Sequence, residues 1–138
     1  VTYQYSGQCS CSSVNVTLEL PRELNVYAPR ACDCEFCTSR QIEYLSHPDG
    51  LLNIKSINAL DYQKQGSEQA VFITCQTCKD VIAAAIDLEN KVIGALNATL
   101  LTDYHQLQNA EVVSPKLLTA NEKIDRWKTV WQKLLINP

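Results

Sequence analysis

The sequence has no long apolar run. Nothing in its 138 residues approaches the ~20 consecutive apolar positions that span a bilayer, so a membrane helix is excluded. It also has no excess of basic residues. Twelve Lys and Arg stand against fifteen Asp and Glu, for a formal charge of −3 and a pI near 5.3. A field of that sign repels nucleic acid and offers no polybasic patch to anionic lipid, so no nucleic-acid and no membrane partner is expected. The start, VTYQYSGQCS, has no basic segment followed by an apolar one; a secretory signal is absent or already removed, and the missing initiator methionine leaves that point open. No internal repeat, linker or low-complexity run appears. A chain of this length, 46% hydrophobic and 20% charged, is expected to close one core, as a single domain over residues 1–138.

Cysteine is what the sequence does have. Seven occur, at 9, 11, 32, 34, 37, 75 and 78, in the pattern C-x-C, twenty residues, C-x-C-x-x-C, thirty-seven residues, C-x-x-C. The odd count fits a closed disulfide framework badly. In an extended C-x-C the two Cα atoms stand roughly 6.6 Å apart at ~3.3 Å rise per residue, near the upper limit for a disulfide. Their side chains nevertheless share a face. Sulfurs on one tetrahedral zinc at ~2.3 Å stand roughly 3.8 Å apart, a spacing that neighbouring C-x-C and C-x-x-C pairs reach easily. Metal fits where disulfides strain. Four plus three uses all seven thiols: one closed, structural zinc and one three-thiolate zinc with a free coordination position. Spacing alone does not say which cluster serves which zinc. The economical partition joins Cys9 and Cys11 with Cys75 and Cys78, and leaves Cys32, Cys34 and Cys37 as the local three-ligand site. A secreted disulfide protein, with no metal, is the contrasting reading.

Around these clusters the pattern is mainly β. Val14, Val16, Leu18 and Leu20 alternate as in a half-buried strand that stops at Pro21. Further strands are expected over 51–57, 60–64, 70–74, 81–88 and 92–101, separated by turn signals such as His47-Pro48-Asp49-Gly50 and Gln65-Gly66-Ser67. The alanine-rich stretch 81–86 also suits a helix. Near the C-terminus Ile124, Trp127, Trp131, Leu134 and Leu135 repeat at helical intervals, and Thr119-Ala120-Asn121-Glu122 matches a capping box that starts a helix near Ala120. Tyr62 is expected to pack in the core, and the tryptophans to pack there or to cover one side of a sheet.

The order Cys9-Ser10-Cys11, Cys32-Asp33-Cys34-Glu35-Phe36-Cys37 and Phe72-Ile73-Thr74-Cys75-Gln76-Thr77-Cys78 resembles the glutathione-dependent formaldehyde-activating enzymes, which share their domain with centromere protein V. Tyr62 and Trp127 also fall where that family tends to place them, so the resemblance covers nearly the whole chain. It implies a β-tent of small antiparallel sheets, a structural zinc on Cys9, Cys11, Cys75 and Cys78, and a second, catalytic zinc on Cys32, Cys34 and Cys37. Where the family usually has glycine after the second cysteine of the first and last pairs, this chain has Ser12 and Lys79; such glycines help a knuckle turn close around metal. The implied activity is that of a carbon–sulfur lyase that joins a small thiol, glutathione, to an aldehyde, formaldehyde, as S-hydroxymethylglutathione.

Other residues carry less. His47 is a candidate for the missing ligand or a proton carrier, though a plain turn histidine is the simpler reading, and His105 is more remote. Arg30, Arg40 and Lys55 are candidates to receive glutathione's carboxylates, and equally ordinary solvated surface. Two sequons, at Asn15 and Asn97, matter only in a secreted protein. Reduced, metal-bound thiols favour a cytoplasmic address. The alternative function, from a different class, is a non-enzymatic, zinc-stabilised β module that presents a surface to a protein partner. Nothing in the sequence speaks to oligomeric state.

Overall fold

The computed structural model describes residues 2–32, 35–57, 59–64, 70–88, 91–113 and 119–137. The chain is mainly β. In order it forms β1 (Tyr3–Gln8), β2 (Val14–Leu20), β3 (Arg30–Cys32), α1 (Glu35–Arg40), β4 (Tyr44–Leu45), β5 (Leu51–Ser56), β6 (Leu60–Lys64), β7 (Val71–Cys75), β8 (Val81–Leu88), β9 (Lys91–Asn97), β10 (Glu111–Val113), α2 (Ala120–Val130) and β11 (Gln132–Asn137). The strands join into one hydrogen-bonded network, with β1-β2-β5-β11-β9-β4-β3-β10 along one path and β6-β7-β8 branching from β9. Most pairs are antiparallel; β11 with β5 and β10 with β3 are parallel. Among the described residues no helix is long and apolar enough to cross a membrane.

β2 follows its alternation strictly. Val14, Val16, Leu18 and Leu20 are buried against Leu52 and Ile54 of β5, while Asn15 faces out. Each fully buried aliphatic side chain of this kind contributes about 1.5–3 kcal/mol. The Val81–Ile86 stretch is a strand, not a helix, and the reason is its place between β7 and β9 with core on both faces. Ile82, Ala83 and Ala85 join one cluster, and Val81, Ala84 and Ile86 a second, which α2 covers with Trp127 and Ile124. Burial on both sides asks for a continuous apolar run and overrides alanine's helical preference. The register slips between Ile73 and Thr74, so that Ala83 and Val81 are their partners and Ile82 is extra. This bulge lies opposite the end of β7, next to Cys75, and bends the start of β8.

The C-terminal helix begins as expected. The Thr119 hydroxyl accepts from the Glu122 N–H at 3.2 Å, and the Glu122 carboxylate accepts from the Thr119 N–H at 2.8 Å. It ends earlier than its periodicity implies. Trp131 is already extended, stacked on Trp127 at 4.6 Å, and Leu134 and Leu135 belong to β11. Between β5 and β9 this segment finds ladder partners for its backbone. Gly94, opposite Gln132, permits the approach, since a Cβ there would stand 2.6 Å from the Ala84 carbonyl oxygen and 3.3 Å from Leu134 Cδ2. The strand expected over 92–101 stops at Asn97, whose side chain caps a 3-10 turn over Ala98–Leu100. Tyr62 is not a core residue. It is 58% exposed on β6, which among the described residues pairs with β7 alone. The turn signal Gln65-Gly66-Ser67 lies outside the described residues.

Candidate metal centre

Two tight turns at the same end of the network carry four cysteines. The first joins β1 to β2. Cys9 N–H donates to the Val14 carbonyl at 3.1 Å and Ser12 N–H to the Cys9 carbonyl at 3.0 Å. The second joins β7 to β8, with Cys75 N–H to the Asp80 carbonyl at 2.9 Å and Lys79 N–H to the Cys75 carbonyl at 3.0 Å. In each, the residue after the last cysteine adopts a left-handed backbone, Ser12 at φ 65° and Lys79 at φ 66°. These are the two positions where glycine was the expected residue, and the turns close without it, each at a strain of about 1–2 kcal/mol.

The four sulfurs of Cys9, Cys11, Cys75 and Cys78 lie within 4.8 Å of one another. Cys11 Sγ is 3.6 Å from Cys9 Sγ and 3.5 Å from Cys75 Sγ. Those distances match the ~3.8 Å of a tetrahedral zinc thiolate site and far exceed the ~2.05 Å of a disulfide. Cys9 and Cys75 are buried, at 2% and 1% exposure, and Cys11 is at the surface.

Two polar side chains support the sulfurs. Ser13 Oγ stands 3.0 Å from Cys11 Sγ, 3.3 Å from Cys75 Sγ and 3.9 Å from Cys9 Sγ. Asp80 Oδ2 accepts from Ser10 N–H at 2.8 Å and from the Ser10 hydroxyl at 2.5 Å, tying one turn to the other. The electrostatics are uneven. The Ser13 hydroxyl and backbone lower the Cys11 thiol. Burial, the largest influence on Cys75, pushes that thiol up, but the Ser13 hydroxyl, the backbone at Cys78 and Thr77, and Cys11 together outweigh it and bring it down to about 6. Burial drives Cys78 up to about 12, with Cys75 and Cys9 reinforcing the rise. Without metal, then, Cys11 and Cys75 ionise more readily than a free thiol and Cys78 less readily. A divalent cation held by the four sulfurs would favour the thiolate form of each.

Of the middle triplet, Cys32 ends β3 and Cys37 lies in α1, while Cys34 and Asp33 fall outside the described residues, as do the side chains of Cys32 and Cys37. Residues just after the triplet meet the knuckles. Arg40, at the end of α1, and Ile42 line a cleft of about 400 Å³ together with Ser10, Lys79, Asp80 and Asn97. Asn97 is 6% exposed and donates its amide to the Val81 carbonyl at 2.8 Å, which engages the nitrogen of that sequon within the fold.

The remaining candidates go elsewhere. His47 makes a turn: its backbone N–H donates to Gln132 Oε1 at 2.9 Å, its Nδ1 accepts from Asp49 N–H at 3.1 Å, and its ring stands edge-on to Tyr27. His105 is exposed in a 3-10 turn. Arg30 is half-buried and hydrogen-bonds Ser46, its pKa lowered by burial and then by Arg126. Lys55 is exposed on β5. Ser13 and Asp80 escaped the sequence reading because no spacing rule marks a supporting hydroxyl or a cross-turn carboxylate; adjacency to a cysteine pair was the one available signal.

The fold and site together define a mainly β protein with four thiols gathered as a group that can hold one zinc-like metal ion. A Rhodobacter sphaeroides protein of solved structure is similar to it in fold, with a TM-score of 0.59 and 20% identity over 78% of this chain and 99% of that one. No family model and no curated protein matches the chain.

Proposed function

We propose that the protein is a zinc protein of the formaldehyde-activating type, which joins a small thiol such as glutathione to an aldehyde. The observation that carries this reading is the junction of the two features: the turns that gather four thiols within 4.8 Å also wall the 400 Å³ cleft, and the segment after Cys37 supplies another wall. Cys9, Cys11, Cys75 and Cys78 hold the structural ion. Cys32, Cys34 and Cys37 hold a second, which when bound supplies a free coordination position for an incoming thiol as its anion. In the reaction a carbon–sulfur bond forms, the carbonyl π bond breaks, and the thiol's proton ends on the aldehyde oxygen. The cleft's part is to hold both reactants together, which removes entropy from the encounter. Thiol chemistry of this kind suits a reducing compartment such as the cytoplasm.

Zinc stoichiometry and S-hydroxymethylglutathione formation in Cys37→Ser and Cys75→Ser test the assignment. The first is expected to lose one zinc and the activity while staying folded, and the second to lose the fold along with its zinc. Equal folding defects, or adduct formation unchanged in Cys37→Ser, would count against it. A second reading, a zinc-stabilised binding module without catalysis, is favoured by Tyr62, 58% exposed on a strand that among the described residues is paired on one side only. It expects a partner protein whose binding is lost in Tyr62→Ala and no adduct formation by the zinc-loaded protein.

A further inference from the structure

The four gathered thiols are unequally placed. Cys9 and Cys75 are buried, Cys78 is half-buried, and Cys11 lies at the surface. A small oxidant that arrives from solvent therefore meets Cys11 first, since attack on a cysteine follows its exposure. Two buried sulfurs stand within reach of it: Cys75 Sγ at 3.5 Å and Cys9 Sγ at 3.6 Å. Either would need to move by about 1.5 Å to form a ~2.05 Å bond. The surroundings separate them. A bond to Cys9 closes a small ring over Ser10, whose N–H and hydroxyl are both held by Asp80, so the turn has little freedom to pucker. A bond to Cys75 runs instead between the two turns that those same Asp80 contacts already hold side by side. Ser13 Oγ, 3.0 Å from Cys11 Sγ and 3.3 Å from Cys75 Sγ, lies against both members of this pair.

We infer that Cys11 is an oxidation site and Cys75 its resolving partner, so that hydrogen peroxide converts the four-thiol centre to a Cys11–Cys75 disulfide and releases its metal ion. The inference rests on the reading of the four thiols as a metal site and not on the proposed reaction of a thiol with an aldehyde. In the first step the Cys11 sulfur attacks one peroxide oxygen: a sulfur–oxygen bond forms, the oxygen–oxygen bond breaks, and the departing hydroxide takes a proton to become water. In the second, Cys75 Sγ attacks Cys11 Sγ: a sulfur–sulfur bond forms, the sulfur–oxygen bond breaks, and the second oxygen also leaves as water. Two thiols give two electrons to one peroxide, and the two protons come from the thiols, or from solvent where they are held as thiolates. Cys9 and Cys78 remain, and two donors do not complete a four-coordinate site. The new bond ties the chain across 64 positions and so restrains the unfolded state in the metal's stead. Oxidation thereby empties the site without unfolding the protein.

The test uses the full chain loaded with zinc and counted for it beforehand. Peroxide is added stepwise; zinc release is read with a chromogenic chelator too weak to strip the reduced protein, the cross-link by tandem mass spectrometry of unreduced peptides, and the fold by circular dichroism. Release is expected to rise in step with the Cys11–Cys75 cross-link, the oxidised protein to melt above the reduced protein stripped by a strong chelator, and dithiothreitol with zinc to reverse both. Cys11→His keeps a zinc ligand and removes the exposed thiol, so it is expected to release zinc about tenfold more slowly. Should that variant fail to load, the wild-type peptide map decides alone. Zinc release accompanied by a Cys9–Cys11 or Cys75–Cys78 bond overturns the inference, as does a loaded Cys11→His protein that releases as fast as the wild type. A wild type that keeps its zinc while Cys32, Cys34 and Cys37 oxidise overturns the inference alone, whereas one that binds no zinc at the outset overturns the metal site with it.

Discussion

The two cysteine turns reach one geometry from different spacings. The first has one residue between its thiols and closes with a hydrogen bond from Ser12 to Cys9, three residues back; the second has two and closes from Lys79 to Cys75, four residues back. In both, the first cysteine's N–H reaches a carbonyl five residues on, and the residue after the second cysteine is left-handed. The extra residue is absorbed in the ring size of the closing bond, so the sulfurs still converge. Their support differs. The first turn contributes a side chain, the Ser13 hydroxyl, which touches three of the four sulfurs, whereas the second contributes backbone at Thr77 and Cys78 and the Asp80 carboxylate that crosses to Ser10. A four-thiol site can therefore be assembled from unlike halves, provided that each half reverses the chain tightly enough to present both sulfurs on one side.

The strongest way to break the pairing is to remove a shared thiol. Cys75→Ser, or treatment with a strong chelator, is expected to destabilise the protein by more than about 4 kcal/mol, because metal binding and folding are one equilibrium. Denaturant unfolding with and without chelator checks it, and a protein indifferent to both would show that the turns stand without metal. Next in size is Asp80→Ala, which cuts the two hydrogen bonds between the turns. It is expected to cost about 1–3 kcal/mol and to speed zinc release to a chromogenic chelator, whereas Gln76→Ala on the exposed side of the second turn leaves both unchanged.

Ser13→Ala sharpens the difference between the halves. Losing a hydroxyl beside the ligands is expected to weaken zinc about tenfold, measured by competition. It also bears on pH. In the metal-free protein Cys75 is depressed to about 6 from an unfolded value of about 8.5, so its contribution to stability is complete above the unfolded value and is lost as pH falls towards 6. Cys78, raised to about 12, works in the other sense: its contribution is complete below the unfolded value and is lost as pH rises towards 12. The stability of the metal-free wild type, read by denaturant unfolding, is therefore expected to fall in both directions from about pH 8.5, and Ser13→Ala to flatten the acid limb alone. The smallest effect belongs to Ser12→Gly and Lys79→Gly. Relief of left-handed strain less glycine's entropic penalty leaves a gain of about 0–1 kcal/mol each, read as an upward shift in melting temperature.

Much of the secondary structure is legible in the sequence, because its causes are local. The alternation of Val14 to Leu20 and the Thr119–Glu122 capping box depend on neighbours within one strand or one turn, and both appear where the pattern places them. Residues 131–137 misled by the same token: a helical period extends to Leu135, but a vacant place between β5 and β9 offers the backbone a ladder, and strand wins. Tyr62 failed for a related reason. Its aromatic character suggests burial, and only the sheet order reveals that β6 is an edge among the described residues.

By itself the sequence determined that the thiols come in metal-ligand spacings and that the chain is mainly β, since spacing and periodicity are properties of neighbouring residues. Only the tertiary structure decided that Cys9 and Cys11 meet Cys75 and Cys78, that Ser13 and Asp80 complete their surroundings, and that Lys79 and Arg40 share a cleft. Ser10 and Asp80 are 70 positions apart. Contacts across such a distance follow from strand order and register, which are settled by how the whole chain buries its apolar faces.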